Sequence, residues 1–187
     1  MVPDESTDLS YAAISRAGFL SCTQSPECSH WNSPCRLPPA AHLHINDDLA
    51  VSLYRKSDVL LDLPEFGRTS CDKEPGNGTM SASDSQLPSG TIGRGQGRFE
   101  AQYSSVRIPS ALKYCEALIR LLCRDRYNTH RMYWMAMLTY ILEYVDGTDN
   151  LHEEELREDY RQFYHAAKIA DPKMFSILDD LRSHSFA

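Results

Sequence analysis

The chain has no apolar run long enough to cross a bilayer. Its longest, Met132-Tyr133-Trp134-Met135-Ala136-Met137-Leu138, reaches about fourteen residues with its continuation to Val145, where a membrane span takes roughly 20. The N-terminus, Met1-Val2-Pro3-Asp4-Glu5-Ser6, lacks the basic start and apolar stretch of a secretory signal, and its acidity argues against a mitochondrial presequence. The expectation is a cytoplasmic or nuclear protein with its six cysteines reduced. Basic residues are in the minority, giving a net charge of −7, which argues against a protein built mainly to coat nucleic acid and leaves room for a locally basic face. Catalytic signatures are missing too. There is no His-Glu-x-x-His and no Gly-x-Ser-x-Gly. His152 and Glu155 stand three apart, without the second Glu-x-x-His that a di-iron carboxylate site needs. These absences lead us to expect a protein that is not an enzyme.

Proline and glycine are nearly absent from the C-terminal part, where only Pro172 and Gly147 lie beyond Pro109. This asymmetry divides the chain. Residues 1–40 read as a disordered tail with a Cys/His cluster and one short helix near Leu9–Leu20. Residues 41–66 read as a short ordered island or docking motif. Residues 67–106 read as a disordered linker, because Met80, Leu87, Ile92 and Phe99 are isolated among Gly, Ser and Pro, too few to offset the cost of ordering the backbone. In the island, His42-Leu43-His44-Ile45 and Leu49-Ala50-Val51-Ser52-Leu53-Tyr54 flank Asn46-Asp47-Asp48. That pattern fits a hairpin, and equally a helix capped by Asn46 or Asp47; periodicity does not arbitrate at this length.

Residues 107–187 read as the helical domain. Leu112, Cys115, Leu118, Ile119 and Leu122 recur at helical spacing from Pro109-Ser110 to near Tyr127. A second helix, capped by Asn128 or Thr129, ends at Asp146-Gly147. Being apolar all round, it is expected to be the central one. A third follows Asn150, with Leu156, Tyr160, Phe163 and Ala167 on one face and Glu153, Glu154 and Glu155 in its first turn. Asp171-Pro172 opens a fourth with Met174, Ile177, Leu178 and Leu181 inward. The expected fold is mainly α: a small antiparallel bundle of about four helices preceded by a largely disordered N-terminal half.

Cys22, Cys28 and Cys35 with His42 as fourth ligand form Cys-x5-Cys-x6-Cys-x6-His, with His30 and His44 nearby. Thiolate plus imidazole in tetrahedral geometry suits Zn²⁺, and a metal orders a segment that has no core of its own. No tight Cys-x2–4-Cys knuckle is present, so unligated thiols are the alternative, and a zinc cofactor is entertained without being required.

Two features suit partner binding. In Ser57-Asp58-Val59-Leu60-Leu61-Asp62-Leu63-Pro64-Glu65-Phe66, acids interleave with the anchors Leu60, Leu61, Leu63 and Phe66, as in short motifs that fold into a partner's groove. The alternative is a segment docking onto the protein's own helices. Arg120, Arg124, Arg126 and Arg131 cluster beside Tyr127 and Tyr133, with Arg120 and Arg124 on one face, fit for an acidic partner or phosphates. An internal pairing with Glu153–Glu155 is the other reading. Gly93-Arg94-Gly95-Gln96-Gly97-Arg98 lacks the strand and the Gly-Lys-Ser/Thr ending of a phosphate loop and reads as linker.

Leu121-Leu122-Cys123-Arg124-Asp125-Arg126-Tyr127-Asn128, then Tyr133-Trp134-Met135-Ala136, and later Asp159-Tyr160-Arg161-Gln162-Phe163 resemble the middle of a regulator-of-G-protein-signalling box. The resemblance covers about 45 residues and implies an all-helical domain that engages a Gα subunit. Thr129-His130 departs from the Glu-Asn such boxes commonly use for that contact. The leading expectation is a non-enzymatic regulatory or viral accessory protein acting through protein–protein interaction. The alternative is a nucleic-acid-associated regulator using the arginine face and a zinc-bound tail.

Overall fold

The structure, a computed structural model, describes residues 1–23, 27–28, 36–46, 49–63, 78–89 and 97–185. In chain order its elements are α1 (Thr7–Arg16), β1 (Leu20–Ser21), β2 (Ala41–His44), β3 (Ala50–Leu53), α2 (Lys56–Val59), β4 (Thr79–Ser81), β5 (Arg107–Pro109), α3 (Ala111–Arg124), α4 (Arg131–Tyr144), α5 (Glu158–Lys168) and α6 (Met174–Ser185). Among the described residues, six helices and two antiparallel sheets replace the expected helical bundle with its disordered N-terminal half. That expectation is overturned. The two sheets also depart from the all-helical box that the resemblance over residues 121–163 implies.

The island around residues 41–53 is the hairpin. β2 pairs antiparallel with β3 in the register His42↔Ser52 and His44↔Ala50, and β1 adds to the other edge of β2 as Leu20↔His44 and Ser21↔Leu43. The Asn46 side chain accepts from the Leu49 amide at 2.8 Å, closing the turn in the way Asn favours. Leu43, fully buried, faces the opposite side of β2 from His42 and His44, because side chains alternate along a strand. The extreme N-terminus is tied to this sheet's exit. The Val2 amide donates to Tyr54 O at 3.0 Å and Val2 O accepts from the Lys56 amide at 2.9 Å.

Part of the expected linker is also structured. β4 pairs with β5 through Thr79↔Pro109, Met80↔Ile108 and Ser81↔Arg107, and Gly78 enters β4 in the left-handed region at φ +67°. The residues at 67–77 and 90–96, with most of the Gly93–Arg98 run, lie outside the described residues.

The four helices expected beyond Pro109 correspond to α3, α4, α5 and α6. Ser110 caps α3, its hydroxyl accepting from the Lys113 amide at 3.3 Å. Gly147, at φ +72°, turns the chain after α4. Two details differ. Glu153–Glu155 forms a separate 3₁₀ turn, and α5 begins only at Glu158. Second, α4 is not central. The hub is α3, which buries Cys115, Glu116, Ala117, Leu118, Ile119, Leu121, Leu122 and Cys123 and touches α2, β5, α4, α5 and α6. α4 packs chiefly on α3 through Trp134, Leu138 and Ile141, spaced four and three apart on one face.

Three buried or half-buried carboxylates tie the helices together. The Trp134 indole donates to Asp125 Oδ2 at 2.7 Å, joining the end of α3 to α4. Glu116, buried in α3, accepts from the Arg157 amide at the start of α5 at 3.1 Å and pairs with Lys113 at 2.7 Å. Tyr164 on α5 donates to Asp146 at 2.8 Å, and Lys168 pairs with the same carboxylate at 2.6 Å. Among the described residues no helix is long and apolar enough to cross a membrane.

Candidate metal centre

The three-stranded sheet brings together four side chains with donor chemistry. Cys22 follows β1 directly. One step beyond the Ser21↔Leu43 pair, the register carries it level with His42. His42 and His44, two apart on β2, share a face. Cys28 reaches the same place from the segment after β1. The ligand atoms of Cys22, Cys28, His42 and His44 all lie within 4.8 Å of one another. Cys28 Sγ is 3.7 Å from His44 Nε2, and the two imidazole rings stand edge to face at 5.2 Å. Zn–S and Zn–N bonds of about 2.3 and 2.05 Å at the tetrahedral angle put neighbouring sulfur and nitrogen ligands about 3.6 Å apart. The Cys28–His44 edge already has that length. Cys28 and His42 are both only 3% exposed, whereas Cys22 and His44 are half-buried.

Two soft thiolates and two borderline imidazoles suit zinc, and oxygen-seeking magnesium or calcium is disfavoured by such a set. Four protein donors would fill a tetrahedral shell, the closed arrangement of a structural ion rather than the open one of a catalytic ion.

The structure thus recovers Cys22, Cys28 and His42 from the expected ligand set and brings in His44 where the spacing count had Cys35. Cys35 lies outside the described residues. The signal for His44 was available: His-x-His on a strand places both rings on one face, and the hairpin reading of residues 42–54 already contained that strand. The remaining described cysteines are different in kind. Burial pushes the Cys115 and Cys123 thiols up to about 12, so neither ionises near neutrality.

The two partner-binding features meet each other. Arg120 pairs with Asp62, and Arg124 donates to Asp58 O at 2.9 Å while also holding Asp125 at 2.7 Å. Leu60 and Leu63 are buried against Ala117 of α3, and Leu61 packs against the main core. These leucines therefore pack onto the protein's own helices, the second of the two readings given for this segment. Phe66 lies outside the described residues. Arg126 is held at 2.8 Å by Asp179 and stacks on Tyr127 and Phe175. Arg120, Arg124 and Arg126 pair with aspartates and Arg131 donates to Arg126 O at 3.2 Å, whereas in the Glu153–Glu155 run Glu153 pairs with His165 at 3.1 Å. Of the four clustered arginines, Arg131 is the exposed one.

Comparison with models of protein families, with curated proteins and with solved structures finds no match to this chain.

Proposed function

We propose that the protein is a non-enzymatic interaction protein, regulatory or accessory in role, whose N-terminal sheet is held by one structural Zn²⁺ bound to Cys22, Cys28, His42 and His44. The observation that carries this reading is the convergence of the four ligand atoms within 4.8 Å. β1 has two residues and β2 and β3 have four each, a sheet too small to fold on its own apolar burial. A bound metal contributes the missing stabilisation, since the site exists only in the folded chain. A closed four-ligand ion offers no position for a substrate, which supports a binding role over a reaction. Thiolate ligands need a reducing compartment, consistent with cytoplasm or nucleus. All four clustered arginines have partners within the chain, so the nucleic-acid alternative gains no support.

The test is metal content. Full-length protein purified from zinc-supplemented cells and measured by mass spectrometry should hold one zinc per chain. Co²⁺ substitution should give the thiolate charge-transfer and tetrahedral d–d absorption of a Cys2His2 site. His42→Ala and Cys28→Ser should each lose the metal. Sub-stoichiometric zinc and an octahedral Co²⁺ spectrum in the intact chain would overturn the reading.

A further inference from the structure

α4 and α6 both pack on α3, and a pocket of about 400 Å³ lies between them, within the roughly 300–1,000 Å³ of small-molecule sites. Its floor is buried Leu122 of α3 and Leu178 of α6. Met132 and Met135 of α4 form one wall and Phe175 of α6 the other, with Met132 and Phe175 reaching the surface.

Two guanidiniums enter this apolar lining, Arg126 and Arg131, and they differ. Arg126 is neutralised. Asp179 holds it at 2.8 Å, and it lies over the Phe175 ring, 4.9 Å from the centroid. Arg131 is not. Its side chain donates to the neutral Arg126 O at 3.2 Å, and among the described residues no carboxylate pairs with it. A guanidinium has five N–H donors, so most of those on Arg131 are left for a ligand. Arg131 is also the first residue of α4, whose N-terminus has no side-chain cap, and the positive end of the helix dipole adds to its charge. An apolar cavity flanked by one cation without a counter-ion is complementary to an amphiphile carrying one negative charge.

We infer that the pocket binds a small monocarboxylate with an apolar body, a medium-chain alkanoate being the simplest member of the class. The chain lies along Leu122, Leu178 and the two methionines, whose unbranched thioethers adapt to a flexible ligand. Arg131 takes the carboxylate through its planar fork. A phosphate dianion fits less well, since its second charge would be desolvated without a partner. The inference goes beyond the interaction role and does not depend on the metal centre, which lies on the three-stranded sheet.

Calorimetric titration of the full chain with decanoate tests it. One decanoate per chain should bind with a Kd on the order of 10–100 μM, and decanol, which lacks the charge, should bind at least about tenfold more weakly. Arg131→Gln should weaken decanoate about tenfold and leave decanol unchanged, a split that general loss of structure would not produce. Arg131→Lys should recover part of the loss. In spectra of protein labelled at the methionine methyls, decanoate should shift Met132 and Met135 and leave Met80, which lines a separate apolar pocket beside β4 and β5, unchanged. Absence of saturable heat up to about 1 mM overturns the inference. So do equal affinities for decanoate and decanol, an Arg131→Gln variant that binds like the wild type, and shifts confined to Met80. Closure of the pocket by a second copy, seen as a ligand-free dimer whose Met132 and Met135 signals move on dilution, overturns it as well.

Discussion

Asp62 and Arg120 form an ion pair across the join between the segment after α2 and helix α3. Each was singled out in the sequence as half of a different binding surface, and the fold uses each to satisfy the other. Beneath the pair, Leu60 and Leu63 are sealed against Ala117. The charged rim and the apolar floor contribute unequally. The pair's side chains are about a third exposed, 30% and 34%, so screening leaves it about 0–1 kcal/mol, while a fully buried leucine contributes roughly 1.5–3 kcal/mol by burial alone.

Leu60→Ala and Leu63→Ala should therefore each destabilise the full chain by about 2–4 kcal/mol, and Arg120→Ala by no more than about 1 kcal/mol. Urea titration of the three variants checks the ranking. A larger loss from Arg120→Ala than from Leu60→Ala would show that the contact is chiefly electrostatic.

Trp134→Ala should cost about 3–5 kcal/mol, because it empties the α3–α4 interface. Trp134→Phe keeps most of the volume and removes only the indole donor to Asp125, so it should cost about 1–3 kcal/mol. The difference between the two, read from denaturation midpoints at constant m-value, separates packing from hydrogen bonding at this site.

Acid should destabilise the protein through Asp125. Burial pushes its carboxyl up, but the bonds from Arg124, Trp134 and Asn128 outweigh that and hold it below its ordinary value of 3.8. A folded-state value below the unfolded one means the unfolded chain binds more protons in acid, so the stabilisation is fully present above about pH 5 and is lost as pH falls through 3.8 to the depressed folded value. Asp146, opposed by burial in the same way but held down by Lys168 and Tyr164, adds to the slope. Stability of the wild type should decline below pH 5, and Asp125→Asn should be less stable at pH 7 with a flatter acid limb.

The ligand set can be resolved by exchange of two residues. His44→Ala should abolish stoichiometric zinc, and Cys35→Ser should keep one zinc per chain, since four donors are complete without Cys35. The opposite pattern would restore the spacing-based set of Cys22, Cys28, Cys35 and His42.

Ala170 turns the chain between α5 and α6 at φ +52°, a region that costs a residue with a Cβ about 1–2 kcal/mol. Ala170→Gly removes that cost and raises unfolded-state entropy by less. A gain of about 0.5–1 kcal/mol is expected from thermal or urea unfolding.

What was legible in the sequence divides by the range of the interactions that create it. α3, α4, α5 and α6 were visible because apolar residues three and four apart and local caps such as Ser110 and Gly147 report a helix from within its own span. The N-terminal half was misread because its order comes from distant partners: β4 is completed by β5, Leu60 and Leu63 by α3, and β2 by β1 across some twenty residues of chain. None of these raises the local apolar density. α4 was placed at the centre because an all-round apolar helix reads as covered on every side, whereas Met132, Tyr140 and Tyr144 are exposed here. His44 was missed by counting along the chain instead of across the strand.

The dependence of Leu60 and Leu63 on α3 also sets an order of events during synthesis. The leucines emerge first, and at roughly 5–20 residues per second the helix that covers them follows several seconds later. For that interval the nascent chain carries an apolar hook that its own sequence cannot yet satisfy, and a chaperone or a neighbouring nascent chain is the cover within reach.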